Sequence, residues 1–344
     1  MSIASVPYTL PVSKMLSTMT TLIRDVRYGE NIKVSKIVND LVDSCRIGNV
    51  EYGKGIVKTF ELDVQPTKNL SETSTAWTIT KPNVKQEVLP ITDYKFVPIS
   101  LAEILAKDAF LDGNAVDTFM NNVMKLPEKT IRFNLFDVAK GLYMNWSPRS
   151  SQKVYVDQID TSTITDMVQK RACEQWNATE LAKVMRKTMN NAKLLNDKYT
   201  DVATYTDANG GGTKNVKSAL DTDNMKIVFN DNFYTNFLAD AMASLYHAEK
   251  VGEMIPGENF VLMPTDAINE ANENTIAWLS EKDKFAIADF YYVTLSIQDP
   301  STLYLNVFFH YSYGSGIFTC APGIKFIANY IEPEPADEGE GEGE

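Results

Sequence analysis

The side chains most used for proton transfer and metal binding near neutral pH are scarce here. The chain has two histidines, His247 and His310, 63 residues apart, and neither has a second histidine three or four positions on. No H-E-x-x-H occurs. His247 reads as lying near the end of a helix, where its charged form is favoured. His310 reads as lying in a strand, on the face opposite an apolar row. Both are expected to be structural. Cys45, Cys173 and Cys320 are scattered, without a C-x-x-C pair, so neither a zinc ribbon nor a thioredoxin-type motif is expected. Their bland reading is three buried or half-buried thiols in a reducing compartment.

Glycine motifs are equally unproductive. The run Asn209–Asn215, NGGGTKN, invites a phosphate-loop reading, but Thr213 precedes Lys214 and no second glycine has the required spacing. A surface loop is expected there. Tyr313–Ile317, YGSGI, is not G-x-S-x-G, and it follows a long strand of antiparallel character rather than opening a helix. No G-x-G-x-x-G follows a strand. Acidic residues are abundant, yet none is singled out by spacing. The expectation is a protein that is not an enzyme, with no catalytic, cofactor-binding or metal residue to name and no cofactor.

Charge narrows the partners. The 344 residues carry 33 Lys and Arg against 45 Asp and Glu, a net charge of −12. That argues against a protein built mainly to grip phosphates or an anionic membrane. Residues 332–344, EPEPADEGEGEGE, contain seven acids and no base; without them the chain stands at −5. Ala336 is the segment's one apolar residue, so disorder is expected there. Within the helical stretch Glu180 to Tyr199, Lys183, Arg186, Lys187 and Lys193 lie off the apolar stripe. This is either a solvated face or a surface for DNA or an acidic neighbour. No run of 18 apolar residues and no secretory leader pattern is present, so no membrane association is expected.

The elements that would position any surface read as α+β. Pro7 and Pro11 suit an extended arm, followed by helical patterns at Val12–Tyr28 and Ser35–Val42. From Gly55 the period becomes two: Phe60, Leu62 and Val64 alternate with polar residues. Further strand-like runs follow at Trp77–Thr80, Val84–Leu89 and Tyr94–Val97, a long ribbon with a polar tip. Pro82, Pro90 and Pro98 place part of it at a sheet edge. Ser100 and Glu103 read as a capping box opening a helix. Another helix over Val116–Met124 should stop at Pro127. Thr161–Trp176 and Glu180–Tyr199 read as two more helices. Strands are expected at Met225–Phe229 and Phe260–Met263, with a helix between them capped by Asn230 or Asp231. The last part reads as strands at Tyr291–Ile297, Leu303–Tyr313 and Ile324–Ile331. Its many tyrosines suit a core or an interface equally.

This order of elements resembles the major capsid proteins of tailed double-stranded DNA phages, which have the HK97-like fold; it is closest to the coat proteins of small, short-tailed phages. The stretches carrying the likeness are KFVPISLAEILAKDAF, MKIVFNDNFYTNFLADAMASLYHAEKV, FVLMP, SEKDKFAIADF and LYLNVFFHYSYGSGIF. The resemblance implies an N-arm over 1–54 and an E-loop ribbon over 55–99. It implies a peripheral domain with spine helix and a helical insertion over 100–224, an axial domain over 225–315, and a return strand over 316–331. The acidic segment 332–344 lies outside it. It further implies a structural protein that self-assembles into hexamers and pentamers of an icosahedral shell around phage DNA, made in the host cytoplasm and carried in the virion. Portal, scaffolding or other capsid proteins would be its partners, and packaged DNA a non-specific one. Some members of the fold join a lysine to an asparagine covalently. Lys68 and Asn69 lie on the ribbon tip, but no motif carries that chemistry over, and no cross-link is expected. Alternatives are an encapsulin-like bacterial compartment shell, and a phage tail or adhesin protein.

Overall fold

A computed structural model describes residues 35–47, 50–51, 55–61, 84–102, 113–202, 204–206, 213–220, 224–235, 260–299 and 304–331. The expected N-terminal helix at 12–28, the ribbon tip with Trp77, Lys68 and Asn69, His247, and the acidic segment lie outside these residues. The chain divides into two units. Unit 1 takes 1–57, 88–139 and 286–316, and unit 2 takes 58–87, 140–285 and 317–344. This partition cuts the chain at different places from the boundaries read from the sequence.

Unit 1 centres on a three-stranded sheet of β4 (Ile91–Ala102), β11 (Phe285–Asp299) and β12 (Tyr304–Ile317), with β12 in the middle. β12 and β4 pair antiparallel, from Tyr304↔Ala102 to Tyr313↔Asp93. The capping box expected at Ser100 is therefore corrected: Ser100 is a strand residue opposite Asn306, whose Oδ1 accepts a hydrogen bond from the serine hydroxyl at 2.6 Å. A partner strand more than 200 residues away overrides the local helix signal. Pro98 is tolerated because β4 is an edge strand. On β12 the alternation is as read: Val307, Phe309, Tyr311 and Tyr313 are buried, and Phe308 and His310 only half-buried.

The same unit holds α1 (Lys36–Cys45) and the first part of α2 (Gly113–Asn145). Pro127 does not stop α2; it sits buried inside it. The missing amide donor is outweighed by packing in the later turns of the helix, where Ile131, Leu135, Ala139 and Tyr143 recur every four residues and are all buried. Arg132 of α2 pairs with Asp43 of α1 at 2.8 Å. Arg46 at the end of α1 pairs with Asp289 of β11.

Unit 2 is built on a five-stranded mixed sheet. Its members are β5 (Lys153–Ile159), β8 (Met225–Asn230), β9 (Phe260–Met263), β10 (Thr275–Glu281) and β13 (Gly323–Ile331), in the order β5-β13-β10-β8-β9. β8 and β10 are buried along nearly their whole length, the pattern of strands covered on both faces. Lys226 survives in β8 because its ammonium lies over the Tyr143 ring, 5.7 Å from the centroid. The expected strands at 225–229 and 260–263 are present, and Asn230 caps the helix that begins at Asp231: its Oδ1 accepts from Asn232 N at 3.1 Å.

The two helices read at 161–176 and 180–199 are one helix, α3 (Met167–Ala192), capped by Asp166. Leu181, Met185 and Met189 join Val156, Ile227, Phe229, Leu279, Ile324 and Phe326 in one core. Each such side chain, fully buried, contributes about 1.5–3 kcal/mol. Thr213–Asn215 forms β7, paired with β6 (Thr204–Thr206), so the glycine run leads into a hairpin strand and not a helix.

Candidate assembly surfaces and the buried polar hub

The sheet of unit 1 presents an uncovered aromatic face. Register places Tyr94, Phe96 and Pro98 of β4 opposite Ser312, His310 and Phe308 of β12. Tyr94 is 75% exposed and Phe96 54% exposed. The Phe96 ring lies 5.5 Å from the His310 ring and 6.0 Å from that of Phe308. The His310 expected on the face opposite the apolar row is there, packed among aromatic rings. Leu295 and Ile297 of β11 add exposed apolar area. Patches of this kind on a folded chain mark surfaces that meet other protein.

The base of the ribbon is a second sheet, β1 (Val50–Glu51), β2 (Gly55–Glu61) and β3 (Val84–Leu89) in that order. Gly55 has φ of +103°, and a Cβ there would lie 2.1 Å from the Leu89 carbonyl oxygen. The YGSGI glycines serve the same junction: a Cβ on Gly316 would meet the Leu89 side chain at 2.8 Å, and one on Gly314 the Pro90 carbonyl oxygen at 3.1 Å. They are packing residues within β12, not a nucleophile turn.

Within unit 2, Glu87 of β3 holds the loop that joins β12 to β13. Its carboxylate accepts from Thr319 N at 3.0 Å, Thr319 Oγ1 at 2.9 Å and Cys320 N at 3.2 Å. Burial, with the Glu87 charge beside it, pushes the Cys320 thiol up to about 12, so it is not a nucleophile near neutral pH. All three cysteines are buried and unpaired in disulfides.

Unit 2 also contains a fully buried lysine, Lys284. Lys284 Nζ donates to Asp201 Oδ2 at 2.8 Å, the Ala321 carbonyl at 2.8 Å and the Phe318 carbonyl at 3.4 Å. It lies 4.9 Å from the Trp146 ring centroid. Asp201 is held in turn by Trp146 Nε1 at 3.1 Å and Gln152 Nε2 at 2.7 Å. Burial lowers the Lys284 pKa, and the Asp201 charge opposes that shift. A depressed lysine can act as a nucleophile, but the ammonium donates to three acceptors and is walled in by Trp146 and Gly323. The hub ties together the end of α2, the 199–201 loop, the β10–β11 turn and the β12–β13 loop. Sequence reading missed it, because its members are scattered from Trp146 to Ala321 and share no spacing.

Among the described residues, no three His, Cys, Asp or Glu side chains gather where a metal ion could sit. Among the same residues, no helix is long and apolar enough to cross a membrane.

Unit 1 thus holds a three-stranded sheet and most of a long helix, and unit 2 a five-stranded mixed sheet. The profile of the Phi29-like phage major capsid protein family matches residues 19–327, and the chain belongs to that family. Its place is therefore in the virion shell, as a structural protein. Solved structures with the same fold are remote in sequence. A chain from the capsid of Staphylococcus phage Andhra is 8% identical, with 81% of each chain covered and a TM-score of 0.58. One from a structure of the head fibre and inner core protein of bacteriophage P68 is 10% identical, with 87% of each covered and a TM-score of 0.55. One from the capsid of cyanophage P-SCSP1u is 10% identical, covering 88% of this chain and 92% of that one, with a TM-score of 0.51. No curated protein matches. Family membership decides against the encapsulin and tail-protein alternatives.

Proposed function

We propose that this coat protein assembles into hexamers and pentamers of an icosahedral shell enclosing phage double-stranded DNA, and that the ribbon read at 55–99 reaches across a neighbouring subunit as an E-loop from the base formed by β2 and β3, while β4 stays in the sheet of its own subunit. The observation that carries the ribbon's role is its fixed base, with Gly55 packed against the Leu89 carbonyl and Glu87 gripping Thr319 and Cys320. A base held this firmly transmits load from a reaching arm into the folded body. The aromatic face around Phe96 and Phe308 supplies a complementary acceptor surface. In this reading α2 serves as the spine helix, 1–54 as the N-arm, and unit 2 takes the axial place. That assignment differs from the boundaries read from the sequence, because β5 and β13, both read there as peripheral, share one sheet with β8, β9 and β10.

Portal and scaffolding proteins are the expected partners, assembly takes place in the host cytoplasm, and DNA contacts are non-specific, in keeping with the net charge of −12. Cohesion comes from summed non-covalent burial acting together around a closed shell. Negative-stain microscopy of the purified chain, alone and with its scaffolding partner, tests the reading. Closed shells or capsomer rings support it, and monodisperse monomers under both conditions refute it. Shells should dissolve to monomers in hot detergent without reductant; a ladder of covalent oligomers would expose a missed bond-forming site.

A further inference from the structure

The basic stripe of α3 and the acidic segment 332–344 have opposite charge, and the segment starts at the level of Asn177, about 9 Å along α3 from Lys183. Lys183, Arg186, Lys187 and Lys193 are all exposed, while Leu181, Met185, Met189 and Ala192 are buried. At about 100° per residue the four cations fall within a stripe about 120° wide. No acidic residue occurs in the sequence from Lys183 to Asn196. Lys183, itself well exposed, pairs with the half-buried Glu180 at 3.2 Å, a contact of small value. Arg186, Lys187 and Lys193 make no ion pair with another described residue. Cations toward a helix C-terminus favour the helix dipole, which accounts for one or two of them but not for four without an intervening acid.

The acidic segment begins where β13 ends. Ile331 of β13 is in register with Ile159 of β5, and Asn177 of α3 holds Ile159 by donating to its carbonyl at 2.9 Å and accepting from its amide at 2.7 Å. Tyr330 shares a cavity of about 380 Å³ with Lys170 and Asn177. From the level of Asn177, Lys187 lies about 15 Å along the helix and Lys193 about 24 Å. The stripe is turned about 80–180° round the helix from Asn177, and thirteen extended residues span about 43 Å, enough to pass round α3 and reach it. The segment has seven acids, no base and one apolar side chain, Ala336. It has nothing to bury in a core.

We propose that residues 332–344 fold back along α3 of their own subunit and cover the stripe formed by Lys183, Arg186, Lys187 and Lys193. The contact is electrostatic and many-registered, and it is screened by salt because the charges are exposed. It places a tethered polyanion over this basic helix face, so a second polyanion has to displace it. The inference concerns the single subunit and does not rest on the shell reading.

Zero-length carbodiimide coupling of carboxylates to lysines, read by peptide mass spectrometry, tests it on unassembled full-length protein. Mixing ¹⁵N-labelled with unlabelled chains separates contacts within a copy from contacts between copies. In about 20 mM salt, adducts of the acidic segment should concentrate on Lys183, Lys187 and Lys193 of the same copy. They should fall at least fivefold in 1 M NaCl, where the Debye length is about 3 Å. A variant with Arg186→Glu and Lys187→Glu, both at exposed positions, leaves Lys183 and Lys193 as reporters, and their adducts should drop several-fold. Adducts spread evenly over the exposed lysines, or found between copies, overturn the proposal. Protection of the three lysines by a short duplex DNA, with no adducts of the acidic segment, assigns the face to nucleic acid and also overturns it.

Discussion

Asp201 accepts from Lys284 across 2.8 Å in a site where the lysine has no exposed side-chain surface and the aspartate little. Removing one member of such a pair leaves the other charged and buried, which costs about 3–5 kcal/mol. Asp201→Ala should lower the melting temperature of the unassembled subunit by about 10 °C. Lys284→Met combined with Asp201→Asn should recover much of that loss, because no charge is then left in the core. Differential scanning calorimetry on the three proteins checks it. If the single variant melts like the parent, water reaches the hub and the pair is not a strut.

Gly55 sets the geometry of the ribbon base. With φ at +103° and the Leu89 carbonyl oxygen 2.1 Å from any Cβ, Gly55→Ala cannot be accommodated without moving β2 from β3. Soluble, helical subunits with a collapsed shell yield are the expected result. Circular dichroism and sedimentation on the same preparation separate this from a general folding defect. Unaltered shell yield would show that the ribbon can leave its base at no cost to assembly.

How much of this was legible beforehand depended on where each signal lived. The strands at 84–89, 225–229, 260–263 and 324–331 were readable because their apolar patterns are local and bounded by polar residues or proline. The reversal at Ser100 was not, because the Ser100–Glu103 pair is a sound helix start in isolation and only the pairing with Asn306 makes it a strand. The second half of α2 was hidden by Pro127, whose cost is repaid by the buried row Ile131, Leu135, Ala139 and Tyr143. β5 went unread, since its burial alternates weakly and its identity depends on a parallel partner more than 160 residues away. The assembly surface was half legible. The tyrosine- and phenylalanine-rich strand was evident, but core and interface were indistinguishable until register put Val307 and Phe309 inside and Phe308 outside.

Glu128, the residue after Pro127 in α2, should make stability depend on pH. Burial raises its pKa from the usual carboxyl value near 4.5 to about 7, against the pull of Arg132 and Lys125. Among the described residues its Oε2 is buried without a hydrogen-bond partner. The folded state therefore holds its proton more tightly than the unfolded state. The neutral form's advantage is complete below about pH 4.5 and is lost as pH rises through about 7. Glu128→Gln should leave the melting temperature unchanged at pH 4.5 and raise it by a few degrees at pH 8, corresponding to about 1 kcal/mol once partial solvent access is allowed for. Equal melting temperatures of the two proteins at pH 8 would mean that the carboxylate finds water or a cation.

Phe96 tests the aromatic face directly. It is more exposed than buried, so Phe96→Asp removes little core packing and should change subunit melting by no more than about 0.5 kcal/mol. In a shell the same position would be sealed against another protein surface, where an unpaired carboxylate costs several kcal/mol per subunit. A closed shell repeats that cost at every equivalent contact, so the loss multiplies. Phe96→Asp subunits should stay folded and soluble yet give no shells, while Phe96→Leu, which keeps the apolar contact, should assemble at near-parental yield. Assembly is followed by light scattering and electron microscopy, and folding by near-ultraviolet circular dichroism. Shells of normal yield from the aspartate variant would place this face toward solvent in the assembled particle and move the acceptor surface elsewhere on the subunit.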